Sequence, residues 1–480
     1  MKLNAKYIKF RDKWWALPLI LPCFLLPLLA SANSYTHISS GNVTLFYLPL
    51  ALMISLMLFF GWAALPGIIL SIFLRKYHDV GLYETLTISA NFVLIIVLSW
   101  GGYRVFVPRR SHISHGNAQL LFQRLFWQVF CPAVLFLLLF QFASFVGLYG
   151  SRSSQIGIMP FNISTLINFQ SLLVGNLVGV PLCYVIIRIL RNPLHIFGYY
   201  SQLKQQVDRK VSKKEFVLWL MVLTALMTLL CMPLNTRSSI FSTNYTLSLL
   251  LPVMLWGAMR YGYRLISLIW AAVLIIGIHN HKSYMPWYAG YDVQLAITSS
   301  SYLVFSFIIN YMAVLATRQR AVVNRIRRLA YFDPVVHLPN IRSLNRTLAS
   351  APWSVICYLR VPGMEMLVKN YGIMLRIQYK QNISHWLAPM LEKDEYVYQL
   401  SGNDLALRLN TEGHQERIEA IDKHLKNFRF MWDGMPLQPQ IGISYCYVRS
   451  PVNHIYLLLG ELSTVAELSI ATNAPESMQR

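Results

Sequence analysis

The sequence predicts a polytopic α-helical membrane domain of about ten spans, followed by a cytoplasmic α+β domain. Three observations predict it. Of 480 residues, 55% are hydrophobic and only 13% charged, where a soluble chain carries about 25% charged residues. Long apolar runs recur up to residue 316 and then stop, giving way to shorter alternating and helical patterns. The net charge of +22 is confined to the apolar part: residues 1–328 hold 28 Lys/Arg and 6 Asp/Glu, whereas residues 329–480 hold 14 of each. An excess of positive loops orients helices across a membrane. The electroneutral remainder argues against nucleic acid as a partner, and the lipid bilayer is the partner implied.

Apolar runs that could span a bilayer lie at 15–32, 43–60, 62–74, 85–101, 125–150, 164–187, 216–232, 246–258, 265–279 and 295–316. The first follows a basic stretch, Met1–Trp14, and reads as a retained span, because no soluble domain follows a cleavage site. The runs 62–74 and 246–258 are short enough to be tilted, re-entrant or buried. With ten crossings and both termini cytoplasmic, 23 loop Lys/Arg fall inside and 5 outside. Merging 43–74 into one span would put Arg109, Arg110 and the basic 191–214 loop outside. Trp14, Trp15, Trp127 and Trp219 stand near span ends as interfacial anchors. Asn91, Gln141, Gln170, Asn176 and Asn310 are uncharged, which weakens a permease reading and suits interhelical hydrogen bonding. The pairs His112/His115 and His279/His281 read as solvated residues at span ends or in loops. The six cysteines include no C-x-x-C pair, so neither zinc nor a disulfide framework is indicated.

The chain divides into a membrane domain over 1–316, a juxtamembrane signalling helix over 317–332 and an α+β domain over 333–475. In the helix, Arg318, Arg320, Arg325, Arg327 and Arg328 alternate with Val322, Val323, Ile326 and Leu329. Beyond it come a buried strand at Trp353–Arg360, a helix over 363–390 broken near Gly372, and short strands at 396–400 and 404–410 flanking a turn at Ser401-Gly402-Asn403. A helix at 415–428, a strand at 440–448 and a helix at 453–471 complete an α+β sandwich of the ferredoxin or nucleotide-cyclase kind.

At these residues the chain resembles the GGDEF family of diguanylate cyclase domains. Asp333-Pro334 and Leu338-Pro339-Asn340 look like that domain's opening, Ser401-Gly402-Asn403-Asp404-Leu405 stands where the G-G-D-E-F hairpin belongs, and Gln440–Ser444 resembles its late strand. The resemblance implies GTP binding and two-metal phosphoryl transfer, but its functional positions are altered. Arg360 and Asn403 stand at metal positions, and Pro362 replaces the next carboxylate. Val368 and Ile377 stand where guanine is read, and no Arg precedes Glu392–Glu395 to form the product-inhibition site. A degenerate domain without catalytic residues, metal or cofactor is expected; an active cyclase is the alternative. Trp62–Phe73 and Gly175–Pro181 resemble motifs of MASE-type membrane sensors. Together these features resemble enterobacterial cyclic di-GMP phosphodiesterases, in which sensor and degenerate GGDEF domain precede an EAL domain. The resemblance implies an inner-membrane homodimer, a link to cyclic di-GMP or GTP through an EAL domain, and Mg²⁺ belonging to that domain. No EAL motif lies within these 480 residues.

Overall fold

The computed structural model describes residues 16–39, 41–107, 120–149, 162–208, 211–232, 243–285, 290–452 and 454–478. The basic N-terminal stretch, Trp14, Trp15, Arg109, Arg110, His112 and His115 lie outside these residues. The chain forms two compact units, Met1–Arg320 and Ala321–Arg480.

The first unit is a helix bundle. Its elements are α1 (Leu17–Ser31), a hairpin of β1 (Ser34–Ile38) and β2 (Gly41–Phe46), α2 (Pro49–Phe60), α3 (Leu65–Val80), α4 (Leu82–Phe106), α5 (Leu121–Phe145) and α6 (Ile163–Arg191). Next come α7 (His195–Gln206), α8 (Lys213–Cys231), α9 (Thr243–Tyr261), α10 (Tyr263–His279), α11 (His281–Tyr284) and α12 (Tyr291–Tyr331). Local signals set several starts: proline in the first turn of α1, α2 and α3, Asn162 capping α6, and Ser212 accepting from Glu215 N to cap α8.

Side-chain contacts fix the helix directions. Leu48 N donates to Asn33 Oδ1 at 3.1 Å, so α2 starts beside the end of α1. Ser71 Oγ donates to Pro22 O at 3.1 Å, and a Cβ on Gly67 would lie 2.5 Å from Pro18 O. Helix α3 therefore runs alongside α1 in the same direction, and the chain reverses between α2 and α3 at Gly61, whose φ of +64° favours glycine. Helix α6 follows α2: Gly175 abuts Tyr47 O, Ser55 Oγ donates to Val180 O, and Arg191 covers the Phe59 ring. Gly102 against Trp127 and Phe92 against Phe140 make α5 antiparallel to α4. Trp219 against Gly257 with Phe216 against Tyr261 does the same for α8 and α9, and Trp270 Nε1 to Ser306 Oγ with Tyr263 N to Thr317 Oγ1 for α10 and α12. Apart from α7 and α11, the helices described here thus alternate in direction from α1 to α12.

By length and apolar content alone, seven stretches of described helix could cross a membrane. One, Ile455–Thr472, packs in the second unit, and another, Pro49–Val80, is the folded-back pair α2 and α3. The two runs that looked too short extend to 16 residues in α3 and 19 in α9. The run 43–60 is corrected instead: it begins in β2, because the β-branched residues of 34–46 pair into a hairpin with alternating burial. Trp219 is no interfacial anchor but a buried ring whose Nε1 donates to Val253 O at 2.8 Å.

In the second unit, a five-stranded sheet has the order β4-β5-β3-β8-β9. Its strands are β3 (Trp353–Arg360), β4 (Tyr396–Gln399), β5 (Leu405–Leu409), β8 (Gly442–Arg449) and β9 (Glu476–Met478); β6 (Phe430–Trp432) and β7 (Met435–Leu437) form a separate hairpin. Strand β3 is central, antiparallel to β5 and β8. Alternation along β3 sends Val355, Cys357 and Leu359 into one core, with α14 (Met364–Tyr371), α15 (Ile373–Leu387) and α16 (His414–Lys426). Ile356 and Tyr358 enter the other, with α13 (Ile341–Ser350) and α17 (Ile455–Thr472). Each fully buried aliphatic side chain stabilises this two-sided packing by about 1.5–3 kcal/mol.

Candidate functional site

Strand β4 turns into β5 through the Ser401–Leu405 segment. Gly402 takes φ +71°, with open space around its Cα, so the turn alone accounts for glycine. Ser401 is exposed, and Leu405 is buried between its strand partners Leu359 and Gln399. Asn403 Oδ1 is buried without a hydrogen-bond partner. The Asp404 carboxylate points back into the sheet: Oδ2 accepts from the Tyr358 hydroxyl at 2.7 Å and Oδ1 from Val361 N at 3.2 Å. Burial, against a hydrogen bond with Ser463 and reinforced by Asp404, pushes Tyr358 up to about 12, so the phenol stays a donor.

Beneath the turn lies a residue the sequence reading did not single out. Lys380 on α15 is fully buried, and Nζ donates to Leu400 O at 3.2 Å and Gly402 O at 2.8 Å. Burial lowers its pKa to about 8, helped by Arg376 and opposed by Asp404 and Asp333, so it remains an ammonium at neutral pH. The signal was present: Lys380 falls on the stripe of Leu375, Tyr379, Ile383 and Leu387, where a cation must find acceptors.

Arg360, at the end of β3, pairs with Glu467 and donates to Ser463 Oγ, both on α17. Val368 and Ile377 pack against the apolar core. These residues do not fit a divalent metal pair. One position is a guanidinium already paired with a carboxylate, and the nearest hairpin carboxylate is committed to Tyr358 and Val361. Among the described residues, no group of three His, Cys, Asp or Glu could hold a metal ion. Glu395 is buried and bound by Arg417 at 2.5 and 2.7 Å.

In the bundle, Gln170 on α6 donates to Ser300 Oγ on α12, an interhelical hydrogen bond, whereas Asn91 on α4 donates to the hydroxyl of Tyr149, which lies past the end of α5. Asn310 instead bonds Ser306 O in its own helix. Gln141 Nε2 has no hydrogen-bond partner, and Asn176, fully buried on α6, has none for either amide atom. His281 is not solvated: it is buried, with Nδ1 2.9 Å from Ile278 O.

The chain is 74% identical over all 480 residues to "Cyclic di-GMP phosphodiesterase PdeF" of Escherichia coli K12, covering 64% of that protein. It is 24% identical over 471 residues to "Probable cyclic di-GMP phosphodiesterase PdeA" of the same organism, covering 63% of it. It therefore spans somewhat under two thirds of the length of these curated relatives. Among solved structures, the GGDEF domain of FimX from Pseudomonas aeruginosa matches 31% of this chain and 99% of that one, at 14% identity and a TM-score of 0.28. The coiled coil and GGDEF domain of DgcB from Caulobacter crescentus, in complex with c-di-GMP, matches 34% of this chain and 92% of that one, at 13% identity and a TM-score of 0.29. The MASE1 family matches residues 15–320, most of the chain and nearly all of the helix bundle, and the chain belongs to that family.

Proposed function

We propose that this chain is the membrane-anchored sensory and regulatory part of a cyclic di-GMP phosphodiesterase, its α+β unit acting as a catalytically degenerate GGDEF domain. The observation that carries the reading is 74% identity along the whole chain to a cyclic di-GMP phosphodiesterase. The hydrolytic centre and its Mg²⁺ are assigned to an EAL domain of the kind the family resemblance implies, and residues 401–405 and Arg360 to packing. Both termini are placed in the cytoplasm and the bundle in the inner membrane. That placement is supported by the 23-to-5 bias in loop Lys/Arg and by the alternating helix directions.

Replacing the matching residues of the Escherichia coli phosphodiesterase with this chain tests function and topology together. The chimera should hydrolyse cyclic di-GMP in membranes within about tenfold of the parent, about 1.4 kcal/mol in barrier height. It should also lower cyclic di-GMP in intact cells, which requires residue 480 to face the cytoplasm. Hydrolysis by the present chain alone, or an inserted chimera without activity, would reject the functional reading. Activity in membranes but not in cells would reject the topology.

A homodimer is part of the same proposal. Val322, Ile326 and Leu329 on α12 are 48%, 59% and 54% exposed, and their spacing of four and three residues is that of a coiled-coil seam. Ile326→Asp should convert the detergent-solubilised dimer to monomer in native mass measurements. An unchanged dimer would place the interface elsewhere.

A further inference from the structure

A cavity of about 160 Å³ opens where the end of α6, helix α7 and the start of α10 meet. That is far more than the ~10–15 Å³ one water needs. Its wall includes Tyr184, Arg188, Tyr199, Gln202, Tyr263 and Arg264. Arg264 stacks over the Tyr199 ring with 5.6 Å to the centroid and hydrogen-bonds Gln202 Oε1, which fixes the direction of its guanidinium. Arg188 is exposed and close enough to Arg264 for the two charges to repel. Among the described residues, neither arginine forms an ion pair with a carboxylate. Two guanidiniums converging on one cavity without a counter-charge make a site for an anion with several acceptor oxygens, and a phosphate matches the guanidinium fork.

The surroundings indicate where that phosphate comes from. Helix α7 buries none of its residues; Phe197 is 74% and Tyr200 68% exposed, with Ile196 beside them and Lys204 further along. A helix that exposes these aromatic and aliphatic side chains, with a lysine in its last turn, suits headgroup depth, its aromatic residues in the acyl boundary. On that placement the cavity would open at the level where lipid phosphates lie.

We propose that this pocket binds the phosphate of an anionic phospholipid, with Arg188 and Arg264 as its charged contacts. The inference rests on the membrane assignment of the bundle and is independent of the phosphodiesterase reading. The test is lipid retention by the full chain in detergent, followed by native mass spectrometry with phosphatidylglycerol and phosphatidylcholine, and separately with inorganic phosphate. Phosphatidylglycerol should bind about tenfold more tightly than phosphatidylcholine. Arg188→Gln, at an exposed position, should abolish that preference, and Arg264→Lys, which keeps the charge but loses the fork, should reduce it. Equal retention of both lipids, or a preference that survives both variants, overturns the proposal. Arg188-dependent binding of inorganic phosphate without lipid preference also overturns it, by making the ligand a soluble phosphate.

Discussion

Supplied with GTP and Mg²⁺ or Mn²⁺, the full chain in detergent should form no cyclic di-GMP above the enzyme-free background. Two-metal phosphoryl transfer needs carboxylates at the end of β3 and in the hairpin to hold the cations that bridge the triphosphate. Arg360 presents a cation there and is paired with Glu467, while both oxygens of Asp404 already accept hydrogen bonds. Restoring one carboxylate by Arg360→Asp should therefore leave the chain inactive. Guanine would also meet Val368 and Ile377, which offer no donor or acceptor, at about 1–3 kcal/mol per unpaired polar group. GTP should bind more weakly than about 1 mM, or roughly −4 kcal/mol, by calorimetry. Turnover that Asp404→Ala abolishes, or micromolar GTP binding that depends on Arg360, would sink this reading.

Glu395→Ala should destabilise the α+β unit by about 3 kcal/mol in denaturant or thermal unfolding, because removing one member of a buried ion pair strands the other. Glu395 has no exposed side-chain surface; Arg417 holds both its oxygens, and Asn410 N and Glu392 N donate to them as well. The side chain of Arg417 is 21% exposed, so water recovers part of its solvation and places the cost at the lower end of the range. Burial alone would raise the Glu395 pKa, but the hydrogen bonds from Arg417, Asn410 and Glu392 outweigh it and hold the group below the ordinary carboxylate range. A carboxyl depressed in the folded state contributes stability above its unfolded pKa, and that stability is lost as pH falls through the folded value. The difference between wild type and Glu395→Ala should therefore hold at neutral pH and shrink below about pH 4. A cost under about 1 kcal/mol, or one that grows on acidification, would show the pair to be dispensable.

Much of the α+β unit was legible because its strands are short, alternating and separated by turn residues. The break at Gly372, the 401–403 turn and the helix at 414–426 fall where the sequence places them, to within a few residues. Four elements escaped it. Helix α13 is short and polar on one face, and β6, β7 and β9 have three residues each, too few to show a period. In the bundle, the run 43–60 misled because the apolar alternation of a strand and the apolar continuity of a helix merge when joined end to end.

What the sequence determined by itself was chemistry that depends on residue identity: a positively biased apolar region and a neutral mixed one. What only the tertiary structure decided was how residues far apart meet. Asp404 turns toward Tyr358 instead of solvent, and Lys380 lies beneath the carbonyls of a turn twenty residues away. Arg188 and Arg264, from helices separated by more than seventy residues, face one cavity, and among the described residues neither is paired with a carboxylate. The physical reason is that hydrogen bonds and ion pairs act over a few ångströms, so their partners are set by packing rather than by order along the chain.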